Sequence, residues 1–306
     1  MAREIALALL PVFFVLAVGY AAGKRGVVDN TDVGSLNALV MSVALPISLF
    51  TSLAAGSREA VLARWKFAVV FLVVMTIVYA ITYVIQRRVH HRPISESALQ
   101  ALTVAFPNVA AVALPLVAVV LGPDATLSVA AALGISAITL TPFTIVVLER
   151  QRGGAIGKVI RQSLSKFMVV GPALGLAWSL LGIPLPDLLR VTLTTIGSVT
   201  AGVALFLTGL VLSSQAIEFS RNAFGSTALA VVVRPVLAYL GVLAFGLTGE
   251  LAQESVLLLA VPAGFFGVLL GIGYQVRPPV VGTTVLFSTL ASAVTISAVI
   301  ALLPRL

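Results

Sequence analysis

The sequence predicts an all-α membrane protein in which ten transmembrane helices form two five-helix halves of inverted topology. Hydrophobic residues make up 59% of the 306 residues and charged residues only 10%, whereas soluble domains have about 45–50% and about 25%. Apolar runs long enough to cross a bilayer recur along the whole chain. The longest basic connection, 149–166, separates five of these runs from the other five.

The runs are interpreted as helices, because they lack the ten-residue alternating segments of a membrane barrel. The first run follows Arg3 and shows no small-residue cleavage pattern, so we expect a helix rather than a signal peptide. The predicted spans are 5–22, 37–55, 67–85, 99–121, 126–148, 167–183, 194–212, 226–247, 255–275 and 280–303.

The distribution of Lys and Arg predicts the orientation of these spans. The odd-numbered loops hold twelve of these residues, and the even-numbered loops and the termini hold six. Because positive charge marks cytoplasmic loops, we expect the odd loops in the cytoplasm and both termini outside. The same distribution accounts for the net charge of +8 without a nucleic-acid partner.

An odd number of spans in each half makes the second half begin on the opposite side of the membrane. If the halves share a fold, they are inverted repeats, an arrangement typical of transporters. The expected division is a first repeat at 1–150, a basic cytoplasmic linker at 151–166 and a second repeat at 167–306.

A matched interruption supports this division. The fourth span of each half carries Ala-x-Pro, with Pro107 in one and Pro262 in the other, and span 4 adds Pro115. Proline removes a backbone donor and clashes with the preceding turn. Interrupted helices at corresponding positions indicate a binding site near the bilayer midplane. The alternative is a pair of ordinary kinks, since proline is common in membrane helices.

The residues around the interruptions could bind an anion. Asn108 follows Pro107, and its amide can donate to a carboxylate; alternatively, it satisfies backbone groups that the break frees. The N–H groups near Asn108 and those of Ala263 and Gly264 are further candidate donors, because a half-helix N-terminus favours negative charge. Gly264 would also allow a ligand to approach the backbone closely.

Arg234 is the only charged residue that the sequence places clearly inside a span, since all the Asp and Glu residues map to loops or span ends. A charge in hydrocarbon is costly and is functional by default. Arg234 could attract or pair with an anion. Alternatively, it could reach the cytoplasmic interface, bind a lipid phosphate or cap broken backbone carbonyls.

Several segments carry a family resemblance: GYAAGKRGVVD at 19–29, Ala-Leu-Pro at 44–46, Asn108 with LPL at 114–116, GPALGLAWSLLGIPLP at 171–186 and ALFLTGLVLS at 204–213. Nearly end to end, the chain resembles the auxin efflux carrier family, the PIN-like transporters of plants with many bacterial members. The resemblance implies that helices 4 and 9 cross at their prolines. One bundle would be a scaffold, and the other would move like an elevator.

The resemblance also implies a small organic anion as substrate. In the bacterial branch, the chain looks most like malonate transporters, whose ninth helix carries Phe-Phe-Gly; here these are Phe265, Phe266 and Gly267. Where the plant pattern has an Asn in helix 9, this chain has Ala263 and Gly264. The resemblance further implies a bacterial inner membrane and, since related carriers are often dimers, a possible homodimer.

Other function classes lack the necessary residues. The chain has no Cys, no intramembrane His and no HExxH motif, and a Ser hydroxyl without a base is a weak nucleophile. No P-loop is present. We therefore expect no enzyme, cofactor, metal or nucleic acid. Two alternatives to a malonate-like carrier stay open: a carrier of auxin-like aromatic monocarboxylates and a membrane receptor that does not transport.

Overall fold

The computed structural model describes residues 2–122, 125–153, 156–215 and 217–303. Two short helices, Arg58–Ala63 and Ile156–Leu164, lie in connections. The other helices are α1 (Ala2–Lys24), α2 (Gly34–Ala54), α3 (Trp65–Arg88), α4a (Ile94–Ala105), α4b (Leu114–Val120), α5 (Leu127–Gln151), α6 (Phe167–Leu180), α7 (Asp187–Ser214), α8 (Arg221–Ala244), α9a (Glu250–Ala260), α9b (Phe266–Tyr274) and α10 (Pro279–Leu302).

Within these ranges, six helices are long and apolar enough to span a membrane, namely α2, α3, α5, α7, α8 and α10. The apolar part of α1 from Leu10 and the whole of α6 are shorter. Large apolar side chains such as Phe14, Leu188 and Val294 are at least 71% exposed. An exposed apolar surface of this kind suits lipid, so the chain is a multi-pass membrane protein.

Each predicted span overlaps one helix or one pair of half-helices, but the predicted starts of α4a, α7, α8 and α9a are five or more residues too late. The helix α7 begins at Asp187 rather than at 194, and α9a begins at Glu250 rather than at 255. Both helices begin with an acidic residue in the first turn, where the positive end of the helix dipole favours it. These polar first turns continue the helices beyond the apolar runs from which the spans were predicted.

Wide turns precede three prolines. The π-helical segments Val40–Ala44, Val109–Ala113 and Leu229–Val233 come directly before Leu45-Pro46, Leu114-Pro115 and Arg234-Pro235. A proline ring clashes with the carbonyl four residues earlier, and a π turn moves that carbonyl away. The helical conformation therefore continues through these prolines in α2, in α8 and at the start of α4b.

Glycines allow the backbones of two pairs of helices to come into direct contact. In the α1–α7 contact, a Cβ atom on Gly19 would collide with the carbonyl of Phe206, and one on Gly209 with the carbonyl of Leu16. In the α6–α2 contact, a Cβ atom on Gly171 would lie 2.7 Å from the carbonyl oxygen of Pro46. Small residues permit such close packing between membrane helices.

The helix contacts define two groups. The first group contains α1, α2, α6 and α7, with α1 against α7 and α6 against α2. The second group contains α3, α4, α5, α8, α9 and α10, with α3 against α4a and α8 against α9a. The interrupted helices thus belong to the same group.

Candidate functional site

The two interruptions meet inside the second group. The helix α4a ends at Ala105 and α9a ends at Ala260, and the segments that follow run antiparallel, with a bridge between Pro107 and Ala263. The N–H of Asn108 donates to the carbonyl of Pro262 at 2.9 Å, and the N–H of Gly264 donates to that of Phe106 at 2.8 Å. This two-residue pairing replaces the helical hydrogen bonds that the prolines remove.

The crossing is closely packed. A Cβ atom on Gly264 would lie 2.6 Å from the carbonyl oxygen of Phe106, which only glycine avoids. The rings of Phe106 and Phe266 stack with centroids 4.0 Å apart, and those of Phe265 and Phe266 stack at 5.6 Å. The ring of Phe265 is buried, so in this conformation it packs against aromatic neighbours.

The backbone donors predicted at the break are occupied in this structure. The N–H of Ala263 donates to the Ser288 hydroxyl at 3.0 Å, and those of Asn108 and Gly264 donate to carbonyls across the crossing. Binding of a substrate by these N–H groups stays a prediction, and in this conformation they donate to acceptors within the protein. The reason is that the two extended segments pair with each other, and buried backbone donors find partners.

The side chain of Asn108, unlike the backbone groups around it, forms no hydrogen bond with a described residue. The side chain is buried, and neither amide atom has a hydrogen-bond partner among the residues that the structure describes. The alternative interpretation, in which this side chain satisfies the freed backbone groups, is not what the geometry shows. A buried polar group without a partner costs about 1–3 kcal/mol, and each such group in a native protein calls for an explanation.

Two of the three predicted prolines lie beside this amide. Pro107 and Pro262 are buried in the crossing itself. Pro115 follows the wide turn at the start of α4b, but its side chain lies outside the described part of the chain. Contact of any of these residues with a substrate stays a prediction.

Arg234 on α8 is fully buried and reaches both interrupted helices. Its Nε donates to the Leu259 carbonyl at 2.8 Å, its Nη1 donates to the Val104 carbonyl at 2.7 Å, and its Nη2 donates to the carbonyls of Val261 and Pro262. These carbonyls end α9a and α4a, where helices carry unpaired acceptors and partial negative charge.

The geometry of Arg234 matches the alternative in which it caps broken backbone carbonyls. The guanidinium group has five donors in a fixed planar arrangement, which suits several acceptors at once. Its burial argues against a side chain that extends to the membrane interface. Direct contact with an anion stays a prediction.

Glu254 was missed by the sequence analysis, which placed all acidic residues in loops or at span ends. It lies within α9a and is only 3% exposed. Its carboxylate accepts from the Ser128 hydroxyl on α5, which in turn accepts from Arg64 Nε at 2.8 Å. Helical spacing could have found it, because Glu254 shares a face with Leu257 and Leu258 three and four residues later.

Interrupted helices that meet within a bundle of membrane-spanning helices are characteristic of membrane transporters. The comparison with known families agrees: the model of the membrane transport protein family matches residues 5–300, and the chain belongs to this family. The protein is therefore a membrane transporter and not an enzyme.

Three relatives illustrate the range of the family. The uncharacterized transporter YfdV of Escherichia coli (strain K12) is 26% identical over 88% of each chain. A putative malonate transporter of Rhizobium meliloti (strain 1021) is 24% identical over 98% of this chain and 96% of its own. A probable auxin efflux carrier component 1b of Oryza sativa subsp. japonica is 30% identical over 38% of this chain and 22% of its own. The predicted resemblance to auxin efflux carriers and malonate transporters is confirmed.

Proposed function

We propose that this protein is a secondary transporter of a small organic anion, such as a malonate-like dicarboxylate, that binds at the crossing of α4 and α9. The observation that carries the proposal is the buried amide of Asn108, which lacks a partner among the described residues. Its Nδ2 would donate to a substrate carboxylate, and such a hydrogen bond is stronger in a low-dielectric interior than in water. The relative named as a putative malonate transporter supports this substrate class.

The field at the crossing favours an anion. Each half-helix has a positive N-terminus and a negative C-terminus. Arg234 binds the carbonyls at the negative ends of α4a and α9a. The positive ends of the segments that follow, which begin at Val109 and Phe266, are then left to attract a carboxylate. In this proposal, Arg234 contributes charge without having to touch the substrate.

The transport mechanism would be alternating access between two inverted repeats, 1–150 and 167–306, joined by the linker 151–166. The packing supports this division, because α1 on α7 and α6 on α2 are equivalent contacts under an exchange of halves. We propose that α1, α2, α6 and α7 form the scaffold and that the other group moves like an elevator. Asn108 and its crossing lie wholly in the second group, so the bound anion would move with it.

The proposed setting is a bacterial inner membrane, with the odd loops in the cytoplasm and both termini outside. The transporter relative from Escherichia coli supports this setting. A homodimer is proposed by analogy with related carriers. No described contact is needed from a second copy to complete the crossing.

A second candidate substrate is an auxin-like aromatic monocarboxylate. Phe106 directly follows α4a and Phe266 begins α9b, and their rings are stacked. Aromatic side chains can stack on a ring-bearing ligand. The partial similarity to a probable auxin efflux carrier also favours it.

The test compares thermal stabilisation of purified protein by malonate, succinate, acetate, indole-3-acetate and a neutral amide, with and without sodium. We expect malonate to stabilise the protein most. Asn108→Ala should weaken its affinity about tenfold to a hundredfold, because a hydrogen bond to a charged group contributes about 1.5–3 kcal/mol. The melting temperature without ligand should stay the same or rise, because the amide has no described partner to lose and its removal takes away an unpaired buried polar group.

Asn222→Ala is the matched control. Asn222 is also a buried amide on a membrane helix, but it exchanges hydrogen bonds with Gln86. This variant should lose stability and keep the affinity for malonate. Unchanged affinity in Asn108→Ala would remove Asn108 from the site. Stabilisation by indole-3-acetate alone would favour the aromatic substrate, and binding of malonate without its flux into liposomes would contradict malonate as the transported anion.

A further inference from the structure

A cavity of about 560 Å³ lies at the end of the molecule that carries the odd-numbered loops. It separates the two helix groups, since its walls come from α2 and α6 on one side and from α5 and α9b on the other. Its inner wall is apolar and includes Leu269, and its mouth is polar and includes Arg152 and Lys166. Its volume falls in the range of about 300–1,000 Å³ that small-molecule sites occupy.

Two cations surround one phenol at the mouth. The guanidinium of Arg152 lies 4.7 Å from the ring centroid of Tyr274 and donates to the Tyr274 carbonyl at 3.1 Å. The ammonium of Lys166 lies 4.8 Å from the same centroid and donates to the Tyr274 hydroxyl at 2.6 Å. Such contacts hold both cations at the cavity while leaving further donors on each.

One internal carboxylate already binds this cluster. Glu149 accepts from Lys166 Nζ at 2.9 Å and from the Tyr274 hydroxyl at 2.6 Å. Two cations against one carboxylate leave a net positive charge at the mouth. A second anionic group would therefore be bound favourably here.

We infer that this cavity is a second anion site, in which a small carboxylate binds Lys166 and Arg152 and replaces Glu149 on Lys166. The inference rests on the proposed function, since it assumes that the carried substrate is a small organic anion. A partly exposed ion pair such as Lys166–Glu149 is weak and exchanges readily. An incoming carboxylate can therefore take its place.

The location gives this exchange a consequence for transport. Lys166 directly precedes α6 in the first helix group, whereas Glu149 on α5 and Tyr274 on α9b belong to the second. The Lys166–Glu149–Tyr274 contacts therefore connect the two groups. An anion that binds Lys166 in place of Glu149 removes one of these contacts at the moment when substrate enters.

The test uses the natural absence of cysteine from the chain. Ser42 is exposed and lines the cavity, so Ser42→Cys provides a single thiol there. The labelling rate of this thiol by a maleimide is measured with and without malonate. At about ten times the dissociation constant, occupancy should slow labelling about tenfold. Ser198→Cys, in the cavity at the opposite end of the molecule, is the positional control and should not be protected.

Further variants in the Ser42→Cys background assign the effect. Lys166→Gln and Arg152→Gln should each abolish most of the protection. Lys158→Gln and Arg161→Gln remove exposed charges of the same linker that do not line the cavity, and they should keep it. If malonate slows labelling equally in all four variants, the inference is overturned.

Failure of the cavity site can be distinguished from failure of the proposed site at the crossing. Protection that persists in Asn108→Ala supports a second site distinct from the crossing. Protection that disappears in Asn108→Ala while Lys166→Gln retains it would overturn the second site and leave the crossing site standing. Phosphatidylglycerol is tested in place of malonate, because a lipid headgroup is also an anion; protection by the lipid alone would overturn a site for a soluble carboxylate.

Discussion

The two helix breaks share a backbone arrangement and differ in side chains. Both breaks contain Ala-x-Pro, and both contribute a segment to the antiparallel pair that joins Pro107 to Ala263. The α4 break carries the unpaired amide of Asn108, whereas the α9 break carries Ala263 and Gly264 at the crossing. The α9 break therefore shows that one of the two paired segments forms without an amide side chain. The presence of Asn108 in α4 then calls for a reason other than folding.

The breaks also depend on a common support. The carbonyls that end α4a and α9a both bind Arg234. The Asn108 side chain belongs to one break, and the Arg234 contacts belong to both. Changes to shared contacts should consequently affect stability, and changes to the unshared amide should affect ligand binding.

Arg234→Ala should have the largest effect. It leaves buried carbonyls of both half-helices without a donor, and each unsatisfied buried acceptor costs about 1–3 kcal/mol. We expect a much lower melting temperature in detergent and poor recovery of folded protein. Arg190→Ala is the control, because Arg190 is exposed and pairs only with exposed Asp187 among described partners; it should cost about 0–1 kcal/mol. Equal stability of the two variants would contradict the role of Arg234 at the crossing.

Gly264→Ala should have the next largest effect. The new Cβ atom would lie 2.6 Å from the Phe106 carbonyl oxygen, and overpacking of this kind costs about 1–3 kcal/mol. The melting temperature should fall, and malonate affinity should fall with it because the two breaks separate. Gly202→Ala is the matched control, since no atom lies within 4 Å of its added Cβ. A stable Gly264→Ala protein would mean that the crossing tolerates a wider spacing.

Phe266→Leu should have the smallest effect. It keeps an apolar side chain but removes the ring stacked on Phe106 at 4.0 Å, and such aromatic pairs contribute about 0.5–1.5 kcal/mol beyond burial. We expect a small decrease in melting temperature and unchanged malonate affinity. If malonate affinity is unchanged but indole-3-acetate binding is lost, the rings contact an aromatic substrate.

Much of the fold follows from local sequence signals. Apolar runs predicted the spans, and Ala-x-Pro predicted both breaks, because each signal lies within a few residues of its effect. The starts of α7 and α9a were placed too late, since polar first turns such as the one at Glu250 do not resemble membrane segments. Glu254 was missed for the same reason.

The site itself was only partly predictable. Asn108 could be identified from its position after Pro107 in a matched break. The partners of Arg234 could not, because its donors reach carbonyls 25 and 130 residues away in the chain. Likewise, the occupied N–H groups of Ala263 and Gly264 depend on packing against α10 and α4, which one segment of sequence does not reveal.

The glycine contacts of α1 with α7 and of α6 with α2 have a consequence for how the first group responds to its surroundings. Backbones that touch directly are spaced by covalent geometry rather than by side-chain rotamers. In lipid, association between such helices owes little to the exclusion of water, and it lacks the weakening on cooling that hydrophobic burial shows in water. The first group should therefore keep its dimensions over a wide range of temperatures, and changes of rate with temperature should originate in the helices around the crossing.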